Sequence, residues 1–384
     1  MKEIGSKKIL EKLVSFDTTS SKSNLDLINY IKNYLEGYNL KSEIIFNKDK
    51  TKANLHSTIG PPQNQGIVLS GHTDVVPVDG QIWDTNPFQL TEYSKKLFGR
   101  GTADMKSFIA VTLAMVPLII KKNINKPIHL AFSFDEEVGC LGVPSLVEHI
   151  NKHFTKPLVV IVGEPTNMEI VNSHKGVLAF KTSLNGLEGH SSSPEKGLNT
   201  ILFASELINF LNSLYEKEKK IKNPLFQPPY TTIHVGLIKG GSALNIIPKE
   251  CSFIWEYRYL PDQNPEKIIN EFNHFSNNVI LPKMKSIYDK SSITTKKIAH
   301  VPPLKSSSDL EIENLIMKLA KSNTIKTVSY GTEGGVFQQT GIPTIICGPG
   351  SIEQAHKANE FIELQEIDKC EKFIINIIQF LEKN

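Results

Sequence analysis

The chain lacks a bilayer-length apolar run. Its longest, Phe108 to Ile120, is interrupted by Pro117 and falls short of the about 20 residues that a spanning helix needs. A buried helix is the expectation there, and no membrane partner. Charge of one sign is also lacking: 43 Lys and Arg stand against 40 Asp and Glu in 384 residues. Without a clustered basic excess, no nucleic-acid partner is expected. The Lys-rich piece from Glu216 to Lys222 reads as a solvated helix end. Cysteine is scarce, at 140, 251, 347 and 370, with no C-x-x-C spacing. That excludes a disulfide-stapled scaffold and suggests free thiols in a reducing compartment. The N-terminus has no apolar h-region of a signal peptide. A cytoplasmic location is therefore the expectation. Internal repeats and low-complexity segments are missing as well.

What is present is enough chain for two cores. Residues 6 to 14 and 24 to 37 carry apolar residues at helical spacing. Ile67 to Ser70, Ile128 to Phe134, Leu158 to Val162 and Pro343 to Cys347 read as buried strands. Residues 104 to 120 and 142 to 151 read as helices between them, and 364 to 383 as a long amphipathic helix. Strands alternating with helices predict an α/β architecture with a mostly parallel sheet. The middle differs. Strand patterns at 176–184, 230–237, 251–259 and 287–297, with helices at 197–218 and 264–277, give the order β-α-β-β-α-β. This predicts a discontinuous domain, 1–175 and 291–384, with an α+β domain inserted at 176–290.

Chemistry gathers at the strand ends. Ligands of open α/β sheets bind beyond the carboxyl ends of the strands. The strand from Ile67 runs into Gly71-His72-Thr73-Asp74. The strand from Ile128 runs into Asp135-Glu136-Glu137, and the strand from Leu158 into Gly163-Glu164-Pro165. Asp104 opens a helix after Arg100, and His356 lies in Ala355-His356-Lys357-Ala358-Asn359-Glu360. Each piece alone is weak. Together they put one His and several carboxylates at one sheet edge, where unpaired charge costs several kcal/mol. A metal relieves that cost. Mixed His and carboxylate donors suit zinc, and cobalt or manganese would also fit. If 72–74 is extended, the side chains of His72 and Asp74 point the same way, so Asp74 can fix the imidazole.

The ordered motifs G-H-T-D-V-V-P, G-R-G-T-A-D-M-K, D-E-E-V-G, G-E-P-T, G-H-S-S and A-H-K-A-N-E-F resemble those of the di-metal aminoacylase and carboxypeptidase family, over about residues 8 to 380. The resemblance implies a di-zinc peptidase-like catalytic domain with an inserted ferredoxin-like dimerisation (lid) domain. It implies two divalent metals: Asp104 bridges both, His72 and Glu164 complete one site, and Glu137 and His356 the other. Glu136 is then the general base that moves the proton of the attacking water. The peptide between Asp104 and Met105 is expected to be cis. His190 is expected to donate to the oxyanion from the other subunit of a homodimer.

For a small N-acyl amino acid substrate, Arg258 and Asn245 match the family's carboxylate-binding positions. An Arg fork suits a carboxylate bidentately. The segments around Glu136, Glu333 and Cys347 resemble the members that deacetylate N-acetylornithine. Glu333 is expected to pair with that substrate's ammonium group, with Gly334 and Gly335 allowing close approach. The alternatives are a desuccinylase acting on succinyl-diaminopimelate, a broader aminoacylase or dipeptidase, or a binding protein without activity. Cys140, close to the ligands, reads as packing.

Overall fold

A computed structural model describes residues 4–306 and 310–383. The chain folds as two compact units. Unit 1 comprises Met1–Ser173, Leu304–Thr327 and Thr332–Asn384; unit 2 comprises His174–Pro303 and Val328–Gly331.

Eight strands build the sheet of unit 1. Their order is Ser42–Phe46, Ala53–Ile59, Ile128–Ser133, Ile67–His72, Val159–Pro165, Thr344–Gly348, Ile170–His174, Ile325–Val328. The four central strands run parallel. Antiparallel strands flank them. The central strands read as near-continuous apolar runs because both faces are covered. Ile67, Leu69, Leu130, Phe132, Ile161 and Ile345 share one core with helices Ser6–Val14, Lys106–Ala114 and Leu364–Lys383. The alternate residues, such as Val68, Ala131 and Val160, are equally buried and face the other way. Helices Val143–His153 and Gly334–Gln339 pack beside these strands.

The helix expected over 104–120 is two helices, Lys106–Ala114 and Val116–Lys122. Pro117 sits in the first turn of the second, where its missing N–H leaves nothing unpaired. Among the described residues, no helix is long and apolar enough to cross a membrane.

Unit 2 has one antiparallel sheet in the order Thr232–Gly240, Glu250–Tyr259, Gly176–Asn185, Ser292–Val301. Its burial alternates strictly along 250–259: Cys251, Phe253, Trp255, Tyr257 and Tyr259 are buried, their neighbours are not. That is the signature of a sheet packed on one face only. Helix Thr200–Glu218 and the helical stretch from Glu266 to Ile287 supply the other half of this core. With β-α-β-β-α-β connectivity, this strand order is ferredoxin-like.

The expected boundary at 290 and 291 needs correction. Residues 281–287 are helical, and the last strand begins only at Ser292. That strand pairs with Gly176–Asn185 along its length, so it belongs to unit 2.

Candidate active site

Three parallel strands deliver their carboxyl ends to one edge of the sheet in unit 1. His72 ends the 67–72 strand, fully buried. Its Nε2 lies 3.0 Å from Asp104 Oδ1 and 3.7 Å from Glu164 Oε1. Glu164 stands in the 159–165 strand, 4% exposed. Past the 128–133 strand, Asp135 takes a left-handed φ of 55°. That region is uncommon for a non-glycine residue and turns the chain sharply. Glu136 and Glu137 follow it. Asp104 reaches the same point from the loop before helix 106–114, and the Asp104–Met105 peptide is cis.

The geometry around Asp104 organises the rest. Its Oδ1 faces His72, while its Oδ2 lies 3.3 Å from His356 Nε2. His356 Nε2 is also 3.0 Å from Glu137 Oε2. One carboxylate thus joins two imidazole–carboxylate groups. His72, Glu136 and Glu164 offer donor atoms within 4.8 Å of one another, as do His72, Asp104 and Glu137.

The protein alone does not balance the charge of this cluster. Burial pushes the Glu136 and Glu164 carboxyls well above the ordinary range, and neighbouring carboxylates add to the push. Burial and Asp104 raise Glu137 to about 7. Burial opposes ionisation of Asp104 too, but hydrogen bonds from His356 and His72 hold its pKa below the usual value. Contacts with Asp104 and Glu137 push His356 up to about 10. Glu137 Oε1 is buried and accepts no hydrogen bond. A buried acceptor without a donor is costly. Two divalent cations flanking Asp104 would fit this donor set, because they satisfy that oxygen and compensate the crowded carboxylates.

Asp74 behaves differently from the expectation. The chain leaves the strand at His72, and His72 Nδ1 hydrogen-bonds the main-chain oxygen of Asp74 at 2.9 Å. The Asp74 carboxylate stays 3.6 Å from the ring. It accepts instead from the backbone N–H of Glu136 (3.1 Å) and Glu137 (3.3 Å) and from Ser20 Oγ (2.7 Å). Asp74 therefore anchors the loop of Glu136 and Glu137 more directly than it orients the imidazole. Lys52 Nζ steadies the same loop with a 2.5 Å bond to Asp135. The Cys140 thiol, 2% exposed, donates to Glu136 Oε1 at 3.5 Å, so it touches the expected base besides packing. Burial and Glu136 push its pKa well up, which keeps it a thiol.

Glu333 is a correction. It is fully buried, with Ser70 Oγ donating to one oxygen at 2.5 Å and Ser133 Oγ to the other at 2.6 Å. Ser70 lies two residues before the end of strand Ile67–His72, and Ser133 ends strand Ile128–Ser133. Glu333 ties these strands together and presents no open carboxylate to a substrate ammonium.

His190, Asn245 and Arg258 all lie in unit 2. His190 is exposed, and its Nδ1 is 2.8 Å from Ser192 Oγ. A short antiparallel bridge pairs Gly189–His190 with Ile246–Ile247, and Ser191 N–H donates to Asn245 O. The structure thus brings His190 and Asn245 together. Arg258 is apart from them on the 250–259 strand, where its Nε donates to Glu256 at 2.9 Å.

Sequence reasoning missed Ser20, Lys52, Arg100 and Glu360. Arg100 and Glu360 lie inside motifs already noted, which was the available signal. Ser20 and Lys52 carry none.

Comparison with known proteins fits this geometry. The profile of peptidase family M20/M25/M40 matches residues 68–379. An acetylornithine deacetylase of Pasteurella multocida (strain Pm70) is 31% identical over 369 residues, covering 95% of this chain and 93% of that protein. One of Buchnera aphidicola subsp. Acyrthosiphon pisum (strain Tuc7) is 33% identical over 381 residues, covering 96% of each. Among solved structures, the metallo-carboxypeptidase Sso-CP2 of Sulfolobus solfataricus shares the fold, with a TM-score of 0.79 at 18% identity over 100% of both chains. With profile, relatives and fold in agreement, this chain is a hydrolase belonging to peptidase family M20/M25/M40.

Proposed function

We propose that this chain hydrolyses the amide of N2-acetyl-L-ornithine to L-ornithine and acetate, using two divalent metals, most simply zinc, held by His72, Asp104, Glu137, Glu164 and His356. The observation that carries the reading is Asp104, whose two carboxylate oxygens face two different imidazoles, with the Glu136 carboxyl alongside. The substrate follows from the relatives' names and from the near-complete mutual coverage.

When bound, such metals acidify water and polarise an amide carbonyl. Glu136 takes the proton of the attacking water and delivers it to the departing amine nitrogen. Asp74, through the N–H groups of Glu136 and Glu137, keeps this carboxylate aimed. His190 donates to the oxyanion, and Arg258 and Asn245 bind the substrate carboxylate. Arg258 must release Glu256 to do so. Glu333 has no part in substrate recognition here.

A homodimer through unit 2 accompanies this reading. The 232–240 strand is a sheet edge, and Leu237 and Ile238 on it are 46% and 51% exposed. Leu202 and Leu244, in the same unit, are more exposed still. An apolar open edge of this kind invites pairing with a second strand. The four buried free thiols fit a reducing compartment such as the cytoplasm.

The test is an amide panel: N-acetylornithine, N-succinyl-diaminopimelate, N-acetylmethionine and a dipeptide, with and without chelator. The expected result is chelator-sensitive turnover with acetylornithine preferred about tenfold or more in kcat/KM, roughly the 1–3 kcal/mol that side-chain discrimination supplies. A preference for another amide would overturn the substrate; turnover indifferent to chelator would overturn the metals.

A further inference from the structure

Arg100 and Glu360 form an ion pair in unit 1, each 1% exposed, with Nη1 2.8 Å from Oε2. Neither is a ligand or the base. Yet Glu360 uses both oxygens on the loop that carries Asp104. Oε2 also accepts from Gly101 N–H at 2.9 Å, and Oε1 accepts from Ala103 N–H at 2.8 Å and Asp104 N–H at 3.0 Å. One carboxylate thus gathers three backbone N–H groups within residues 101–104, the last belonging to Asp104 itself.

Arg100 extends the clamp towards His356. Its Nη1 also donates to Lys357 O at 3.1 Å, and its Nη2 donates to Gln81 Oε1 at 2.6 Å. Gln81 Nε2 in turn donates to His356 O at 2.9 Å. The guanidinium lies over the Trp83 ring, 5.1 Å from its centroid. A continuous set of hydrogen bonds therefore runs from the main chain of Asp104 to the main chain of His356. These are the two residues that meet at Asp104 Oδ2.

We propose that Glu360 and Arg100 are positioning residues: their buried pair sets the separation of Asp104 and His356, and so the affinity of the metal between them. This rests on the two-metal reading above. Free loops would have to be ordered by the cation, at the expense of its affinity. A clamp that pre-orders them removes that loss. An ion pair suits the task, because a planar fork and a carboxylate fix direction as well as distance.

The test uses metal-free full-length protein titrated with cobalt(II), followed by calorimetry and by visible absorption. Wild type, Glu360→Gln and Gln81→Ala are compared, with far-UV circular dichroism as the check on folding. Gln81 is only partly buried, so its variant keeps the reading testable if Glu360→Gln does not fold. Wild type is expected to take up two ions. Glu360→Gln is expected to bind one of them about 10- to 100-fold more weakly, as lost support of a ligand does, with an altered cobalt spectrum. Gln81→Ala should weaken the same ion by about 3- to 10-fold, less than Glu360→Gln because it leaves the ion pair in place. At saturating cobalt the KM for acetylornithine stays at the wild-type value in both. Folded variants that bind both ions within about twofold of wild type, with unchanged spectra, would overturn the clamp. Wild type that binds no cobalt would overturn the metal reading first, and the clamp with it.

Discussion

Trp255, Tyr257, Phe253 and Phe272, with one lysine, Lys175, are the largest fully buried side chains of unit 2, whereas Arg100 and Lys106 rank among those of unit 1. Unit 2 is held by packed rings: Phe180 stacks on Trp255 with centroids 4.9 Å apart, and Phe272 lies tilted against Trp255 at 4.7 Å. Unit 1 buries His72, Asp104, Glu164, Glu333 and Glu360 beside its apolar core. Among the described residues of unit 2, the buried charges are Lys175 and Glu218. The difference teaches where function sits. Aromatic burial stabilises without directing chemistry. Buried charge needs a partner for every lone pair, so each one fixes the segments that supply its partners.

The sharpest way to separate the two is Glu136→Gln. It should lower kcat about 10³-fold, within the range for loss of a general base, while cobalt stoichiometry stays at two. Turnover within tenfold of wild type would remove Glu136 from the proton path. Trp255→Ala acts on the other unit. It should cost about 3–5 kcal/mol in denaturant unfolding, yet leave two cobalt ions bound to the folded protein, because every proposed ligand is in unit 1. Loss of cobalt at denaturant-free conditions would show that the units do not hold their sites independently.

Glu333→Gln is a smaller break. One serine hydroxyl must turn to accept from the new amide, so a loss of roughly 1–3 kcal/mol is expected, with the KM for acetylornithine unchanged. A KM raised tenfold or more with unaltered stability would reinstate Glu333 as a substrate contact.

Acid should weaken unit 1 through a second group of histidines. His56 and His129 are buried, 3.3 Å apart between Nε2 and Nδ1, and His129 Nε2 has no partner. Burial lowers His56 to about 3 and His129 to about 4. Burial and His153 lower His149, against the pull of Glu43. Both folded pKa values of the buried pair lie below the unfolded value of about 6.5. Above that pH all are neutral in both states and their contribution is fully present. As pH falls below it, the unfolded chain takes up protons that the folded chain refuses, and stability declines towards pH 4 and then 3. His129→Phe should flatten the fall in unfolding free energy between pH 6.5 and 4; an unchanged slope would clear the cluster.

Much of unit 1 was legible because its signals are local. Ile67–His72 is an apolar run that ends in a ligand-type residue, and both facts are adjacent in the chain. The strands Ser42–Phe46 and Ile170–His174 were not legible. The first is a half-exposed edge strand of mixed pattern. The second is buried but mixes Asn172, Ser173 and His174 with two apolar residues. The strand expected to begin near Ile287 begins at Ser292, because Ile287 ends a helix and a turn closed by Ser291 N–H on Tyr288 O separates the two.

The sequence by itself determined the kinds of donor and their places at strand ends. Strand period, chain direction and ligand chemistry are all properties of short segments. It also determined the split into two units, because hydrophobic patterning changes character between them. Only the tertiary structure decided the pairings. Glu360 lies 260 residues from Arg100, and Glu333 lies 200 from Ser133. No local pattern states which carboxylate is a ligand, which is a strut and which holds a loop. Those roles depend on which donors stand within about 3 Å, and that is settled only when distant segments pack together.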